Sequence, residues 1–426
     1  MLDIKFIKEN ADLIKAGARK KHLDFDLDEL IKTDERRLKL LAAVEKIRAE
    51  QNAANDEVAK ADSGARTTLI ERLKIVKAGL QAKETELTEV MKIWQKLMLA
   101  VPNVPDISVP EGGSDADNQE TRTWGIPTKF SFTPKSHIDL MLNLDLVDFD
   151  RGTKVAGFRG YFLKNEGALL SFAVWQLALD QLVRKGFVPM LTPSLVRREP
   201  FIGTGYLPQA EDELYKTQDE LYLAGTAEVP TMGYYMDEVI DRAQLPLKFV
   251  SFSPCFRREA GSHGKDTKGL IRLHEFFKLE QVILDEANHE KSVEHHETLT
   301  RNAEEILQLL KLPYRVVTNC GGDLGLGQVK KYDLEVWVPT EKKYRETHSS
   351  SYFHDFQTRR LNIRYRDAEG KLRFAHSLNN TGVATPRILA AIVENYQQAD
   401  GSVLVPVALQ AYLGKKIISR NGASKD

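Results

Sequence analysis

Two cysteines in 426 residues, Cys255 and Cys320, are too few for a disulfide framework. The scattered histidines never reach zinc-ligand spacing with them, so no zinc is expected. Cys255 precedes a Phe in strand-like sequence with no His or Asp arranged beside it, and reads as a small core residue, not a nucleophile. Neither sign of charge is in excess: 60 Lys plus Arg against 61 Asp plus Glu leave a net −1. Nucleic-acid binding would therefore need a local patch or a separate basic element. No apolar run is long enough to span a membrane. The opening "MLDIKFIKENADLIKAG" carries charges throughout, in place of the apolar stretch of a secretory signal. These absences point to a soluble, cytoplasmic protein. No internal repeat is visible. The glycines of "NCGGDLGLG" do not lie between a strand and a helix of a βαβ unit, so they read as a turn and not as a dinucleotide fingerprint. His295 and His296 sit on a charged helical stretch and are expected in solvent.

What is present divides the chain in two. From Leu40, apolar or small residues recur in steps of four and three at Val44, Ile47, Gln51, Ala54, Val58 and Ala61. After a break at "DSGAR" the pattern resumes at Leu69, Leu73, Val76, Leu80, Lys83, Leu87, Val90, Trp94 and Leu97. Two heptad seams joined by a short turn predict an antiparallel coiled-coil hairpin. By itself such a hairpin reads as a spacer or oligomerisation element whose Lys and Arg solvate its outer face. "VPNVPDISVPEGGSDADNQE", with three prolines and adjacent glycines, reads as a linker. The boundary falls between residues 1–112 and 113–426.

Beyond the linker the composition is that of a globular α+β domain. "ALLSFAVWQLALDQLVRKG" predicts a buried helix, apolar on more than one face, and "FVPMLTPSLV" a strand whose prolines suit an edge. Further strands are read at "KFVSFSPCFRRE", "HEFFKLEQVIL", "YRVVTN", "YDLEVWVP" and "RLNIRYRD", and a closing helix at "TPRILAAIVENYQ". Consecutive strand pairs with helices set apart predict an antiparallel sheet.

Chemistry concentrates in a few polar patches. "CFRREAGSHGKDTKGLIRLHEFFKLEQ" reads as a hairpin with a long polar loop. Strand alternation would put Arg257 and Glu259 on one face, and Phe276, Lys278 and Glu280 likewise. Charges on a sheet face imply a polar ligand or a salt-bridge network, and this stretch alone leaves both open. "LAGTAEVP" adds Thr226 and Glu228; "YRETHSSSYFHDFQTRR" adds Glu346, His348, serines and arginines; "HSLNNTGVATPR" adds Asn379, Asn380, Thr381 and Arg387. Each has a plain alternative as a turn, cap or surface salt bridge. Together they suggest one polar floor with arginines for phosphates, carboxylates for an amine or metal, and an aromatic for a base.

In order, these patches resemble the three signature motifs of class II aminoacyl-tRNA synthetases, and of bacterial-type seryl-tRNA synthetases in particular. The helix with "FVPMLTPSLV" is similar to motif 1, with Pro193 as its proline, which in the family builds the homodimer interface. "FRRE" and its loop resemble motif 2, and "GVATPRILAAIVENY" resembles motif 3 with Arg387 as its arginine. "GTAE", "FQTRR" and the long N-terminal arm resemble features of the seryl enzymes, and the likeness runs over essentially the whole chain. The implied fold is an antiparallel-sheet class II core with an N-terminal α-helical coiled-coil arm. The implied activity is ATP-dependent activation of L-serine and its transfer to tRNA(Ser), with tRNA(Sec) left open.

By the same resemblance Arg257 and Arg387 are catalytic. Thr226, Ala227, Glu228, Arg257, Glu280 and Thr381 would bind serine. Arg257, Arg258, Glu259, Phe276, Glu346, Thr347, His348, Ser349 and Arg387 would bind ATP, with Glu346 and Ser349 holding its Mg2+. The motif 2 loop would move onto ATP and the tRNA acceptor end. The chain departs from the commoner pattern at His348 (usually Ser), Tyr352 (usually Asn), Asn380-Thr381-Gly382 (usually Gly-Ser-Gly) and Pro386 (usually Gly). None of these removes a group that the chemistry needs: Thr381 keeps a hydroxyl, and Pro suits a first helical turn. Beside such motifs the arm reads as a tRNA-binding element, with Arg66, Arg72, Lys74 and Lys77 as phosphate contacts gripping the long variable stem. Two other readings carry distinguishing marks. A ligase of the same fold that loads a carrier protein would lack the arm. A non-catalytic RNA-binding or scaffold paralogue would have lost Arg257, Glu280 or Arg387.

Overall fold

Asp26 and Asp62 each open a long helix. In the computed structural model, which describes residues 1–261, 264 and 266–420, the Asp26 carboxylate accepts from the Glu29 N–H at 2.8 Å. That of Asp62 accepts from Gly64 and Ala65, each at 3.0 Å. Both thereby satisfy donors that a first turn leaves open. Helix α1 (Leu27–Lys60) and helix α2 (Ser63–Ala100) follow. Every seam position from Leu40 to Leu97 is buried or half-buried, and Arg36–Glu86 (2.8 Å) and Arg48–Glu84 (2.7 Å) pair beside the seam. The break is shorter than "DSGAR" suggests: only Ala61 and Asp62 interrupt the helices. α1 also starts well before Leu40. Asp34, a buried seam residue there, hides the periodicity; burial pushes its carboxyl up, but bonds from Lys8 and Arg37 outweigh that and hold it below the usual range. These helices belong to one compact unit, Met1–Arg19 with Leu23–Pro102.

The second unit comprises Lys20–His22 and the chain from Asn103 onward. Its centre is an eight-stranded sheet: β1 (Gln119–Trp124), β2 (Val188–Leu191), β3 (Leu247–Phe256), β4 (Glu275–Asp285), β5 (Tyr314–Thr318), β6 (Lys330–Val338), β7 (Lys343–His354) and β8 (His376–Thr385). The spatial order is β1-β5-β6-β7-β8-β4-β3-β2, antiparallel throughout except that β2 runs parallel to β3. Pro189 lies on β2 at the sheet edge, where no missing N–H interrupts a central ladder. Strand β1 begins on the last two residues of the stretch read as linker, Gln119 and Glu120.

Three helices cover one face: α3 (Glu166–Arg184), α4 (His289–Leu309) and α5 (Arg387–Asn395). Leu177, Ile306 and Ile392 from them pack with Leu279, Ile283, Leu334 and Val383 of the sheet. This packing corrects the expectation of solvated histidines on α4. His296 is 2 % exposed; its Nε2–H donates to the Ser350 carbonyl at 2.9 Å and its ring stacks on Tyr332. Burial pushes its pKa down to about 4, so it is neutral. His295 is half-buried and bonds Asp285 at 2.8 Å. The expectation for α3 is also corrected: Leu170, Val174 and Leu177 are buried, but Leu169 and Phe172 face outward, 49 % and 61 % exposed. A groove of about 600 Å³ lined by Phe172, Trp175, Leu179, Met190 and Leu191 runs between α3 and β2.

Candidate active site

The other sheet face is polar, and the strand register assembles it. Lys331, Asp333 and Glu335 share one face of β6 because side chains alternate. Asp333 pairs with Ser349 and Glu335 with Glu346, so Thr347 is an extra residue in β7. That bulge puts Glu346 and Ser349 on the same face although they are three apart. A second bulge follows in β8, where Thr381 pairs with Glu280 and Val383 with Leu279, leaving Gly382 extra. A Cβ there would lie 3.0 Å from Leu182 Cδ1 and 3.2 Å from the Leu279 carbonyl, so the bulge calls for glycine. His348 ties the two bulges. Its Nε2–H donates to the Gly382 carbonyl at 3.2 Å, and its Nδ1 accepts from the Thr347 hydroxyl at 2.8 Å. Burial pushes its pKa down to about 4.

Over this face lies a cavity of about 340 Å³, lined among others by Arg257, Glu259, Arg272, Phe276, Lys278, Lys331, Glu346, Thr347, Ser349, Thr381 and Arg387. Strand β3 ends at Phe256. Arg257 donates one more backbone bond, to His274 at 2.9 Å, while Glu259 turns to φ 55°, so strand alternation does not extend to this pair. The Arg257 guanidinium lies 5.2 Å from the Phe276 ring centroid and donates to the Gly225 carbonyl at 3.3 Å. Glu259 pairs with Arg272 at 2.5 Å. Arg387 opens α5; its Nε donates to the Ile271 carbonyl at 2.7 Å and its Nη1 to the Glu346 carbonyl at 2.9 Å. Its carboxylate contact with Glu346 is 3.4 Å. The cavity walls push the Glu346 carboxyl up, but Arg387, Lys331 and Arg257 outweigh them and keep it below the usual range. Ser262, His263 and Lys265 of the polar loop lie outside the described residues, so the movement expected of that loop has no structural account.

Deeper in, Thr226, Ala227, Glu228 and Glu280 are 1 %, 0 %, 4 % and 2 % exposed. Thr226 Oγ1 donates to Glu280 at 3.4 Å and accepts from the Glu228 N–H at 3.2 Å. Burial, with Glu280 nearby, pushes the Glu228 carboxyl up to about 7. Gln357 Nε2 donates to Glu228 at 2.7 Å, and its Oε1 accepts from Ser377 at 2.7 Å.

Apart from this buried group, two further candidate side chains are not in the cavity lining. The His348 ring is 1 % exposed on the opposite face. Arg258 is exposed, and its backbone N–H bonds the Glu213 carbonyl at 2.9 Å. Conversely, Lys331 and Arg272 line the cavity without having been singled out; a lysine in an alternating strand beside Asp333 was the available signal for the first. Pro193 lies just past β2 and is exposed. Tyr352 points into the core and donates to Asp106 at 2.8 Å. Cys255 is 0 % exposed and its thiol is pushed up to about 11 by burial, as suits a core residue. On the arm, Arg66, Arg72, Lys74 and Lys77 are exposed; Arg72 and Lys74 have carboxylate neighbours at 3.8 Å (Glu57) and 2.9 Å (Glu71). Among the described residues no cluster of His, Cys, Asp and Glu is arranged to hold a metal, and no helix is long and apolar enough to cross a membrane.

Residues 1–105 match the seryl-tRNA synthetase N-terminal domain, and residues 210–396 the tRNA synthetase class II core domain (G, H, P, S and T). The chain is 48 % identical to the serine–tRNA ligase of Deinococcus radiodurans, covering 97 % of this chain and 98 % of that one. It is 43 % identical to that of Thermodesulfovibrio yellowstonii, covering 98 % and 100 %. A seryl-tRNA synthetase from Pyrococcus horikoshii, solved with ATP, superposes with a TM-score of 0.89 at 39 % identity, covering 99 % of this chain and 100 % of that one.

Proposed function

This chain belongs to the seryl-tRNA synthetase family, and on that premise we propose that it activates L-serine with ATP and transfers it to tRNA(Ser). The observation that carries the reading is one cavity in which Arg257, Arg387, Glu346 and Thr381 meet beside the buried Thr226–Glu228–Glu280 group. In the proposed reaction a serine carboxylate oxygen attacks the α-phosphorus of ATP, the bond to the bridging oxygen breaks, and pyrophosphate leaves. Negative charge grows on the phosphate oxygens, so fixed cations and alignment carry the acceleration. Arg257, a planar fork, bridges the α-phosphate and the serine carboxylate, and Arg387 holds the γ-phosphate. Phe276 stacks on adenine, Glu259 faces its amino edge, and Thr347 lies alongside the nucleotide. The His348 ring is buried on the opposite face, so only its backbone can serve the nucleotide, while the exposed Arg258 beside Arg257 would reach it from solvent.

ATP brings Mg2+ as part of the substrate. Glu346 and Ser349 suit it: both are oxygen donors, the bulge puts them on one face, and the carboxylate is kept ionised. Once bound, the ion would neutralise phosphate charge. Thr226, Glu228 and Glu280 surround the serine ammonium and hydroxyl, Ala227 closes the wall, and Thr381 meets the hydroxyl. Residues 1–112 form the tRNA-binding domain and 113–426 the catalytic one. The exposed apolar side of α3 supports a homodimer built on motif 1, and the protein acts in the cytoplasm.

Arg257→Ala and Arg387→Ala should each lower serine-dependent ATP–pyrophosphate exchange by ~100- to 1000-fold, with circular dichroism unchanged. Near wild-type exchange in either folded variant would defeat the assignment.

A further inference from the structure

Thr226 and Glu280 already hold a cation. Lys278 stands two residues before Glu280 on the same face of β4 and is 6 % exposed. Its ammonium donates to Thr226 Oγ1 at 2.8 Å and pairs with the Glu280 carboxylate. Thr226 approaches the same carboxylate oxygen, Oε2, at 3.4 Å. A buried carboxylate needs a counter-charge when no ligand is present. A primary ammonium at the end of a flexible stem is chemically the group that an α-amino acid brings. Lys278 also lines the 340 Å³ cavity beside Arg257 and Thr381, so its stem has open space to turn into.

We propose that Lys278 is a placeholder for the substrate ammonium. It occupies Thr226 and Glu280 in the free site, and the ammonium of serine displaces it into the cavity. This rests on the serine-activating reading above. The exchange swaps one ammonium for another on Glu280, so the buried carboxylate is never left uncompensated. The displaced Lys278 then faces the space where the serine carboxylate and the α-phosphate meet, adding a cation to Arg257 only once serine is in position. One residue thus balances the empty pocket and completes the loaded one.

The test is Lys278→Met in the full chain, with serine binding measured by calorimetry without ATP and turnover by pyrophosphate exchange. The variant lacks the internal competitor, so serine should bind at least as tightly as to wild type, while turnover at saturating serine falls ~100-fold for loss of a donor at the phosphate. Serine binding weakened tenfold or more would make Lys278 a fixed wall of the pocket and overturn the proposal, as would unchanged turnover. Lys278→Gln, polar and of similar length, supplies the same two readouts if the Met variant does not fold. Absence of serine-dependent exchange in the wild-type protein would instead count against the serine-activating reading itself.

Discussion

Glu228 shows how a single side chain is set by what surrounds it. Its carboxyl is 4 % exposed and pushed up to about 7, first by burial and then by Glu280. An acid whose folded pKa exceeds its unfolded one near 4.5 binds more protons folded than unfolded between the two values. Stability therefore falls as pH rises from about 4.5 to 7, and the full cost, on the order of 3 kcal/mol at ~1.4 kcal/mol per unit, is present above that. Glu228→Gln keeps the Gln357 contact and removes the titration. Thermal unfolding should find this variant gaining on wild type from pH 5 to pH 8, while serine binding weakens at both. A stability difference that does not change with pH would mean that Glu228 stays ionised throughout. At this scale the sequence was informative about type and poor about direction. Arg257, Glu280 and Arg387 stood out because charge in apolar flanks needs a reason. Gln357 and Lys331 did not, because a lone amide or lysine in sequence has an easy life in solvent. The His348 ring points to the core because a one-residue bulge reverses the face, and nothing in local composition announces a bulge.

Elements divide by whether their burial is apolar. The arm helices and α5 are legible because their buried positions are largely hydrophobic and periodic. Strands β7 and β8, central in the sheet, escape the same reading. Their inner residues include Ser350, Ser351, Asn379 and Asn380, and the sequence offers a polar patch where the fold has a ladder. Several of these polar groups are bearable because neighbouring elements supply partners: Gln281 donates to Asn380 at 2.7 Å, Thr300 to Ser350 at 3.0 Å, and Gln328 to Ser351 at 2.8 Å. The bulges in the two strands decide which residues face the cavity. Gly382→Val should therefore cost ~1–3 kcal/mol by crowding Leu182 and the Leu279 carbonyl. Because Thr381 precedes the bulge, the KM for serine should rise more than that for ATP. Chemical denaturation and exchange kinetics check both. A variant of wild-type stability and wild-type serine KM would show that the bulge does not position the hydroxyl.

The described chain falls into two compact units, one helical and one built on the sheet, and a change of pattern is visible in the sequence: heptads, then a Pro/Gly stretch, then mixed strands and helices. The outward apolar side of α3 was not readable. A helix apolar on several faces looks buried in sequence, whether the cover is its own chain or a second copy. Activity, under the proposed reading, also divides between the parts. Adenylate formation belongs to the catalytic domain, and the arm with Arg66, Arg72, Lys74 and Lys77 belongs to tRNA. The most direct measurement compares the full chain with one lacking about residues 33–99, in serine-dependent ATP–pyrophosphate exchange and in charging of tRNA(Ser), with alanine as control. The full chain should perform both with serine, and exchange with alanine should be lower by ~10⁴-fold or more, because the polar groups built around a hydroxyl would lose their partner. The shortened chain should keep exchange and lose charging. Exchange with alanine equal to that with serine, or normal charging by a folded armless chain, would contradict the account.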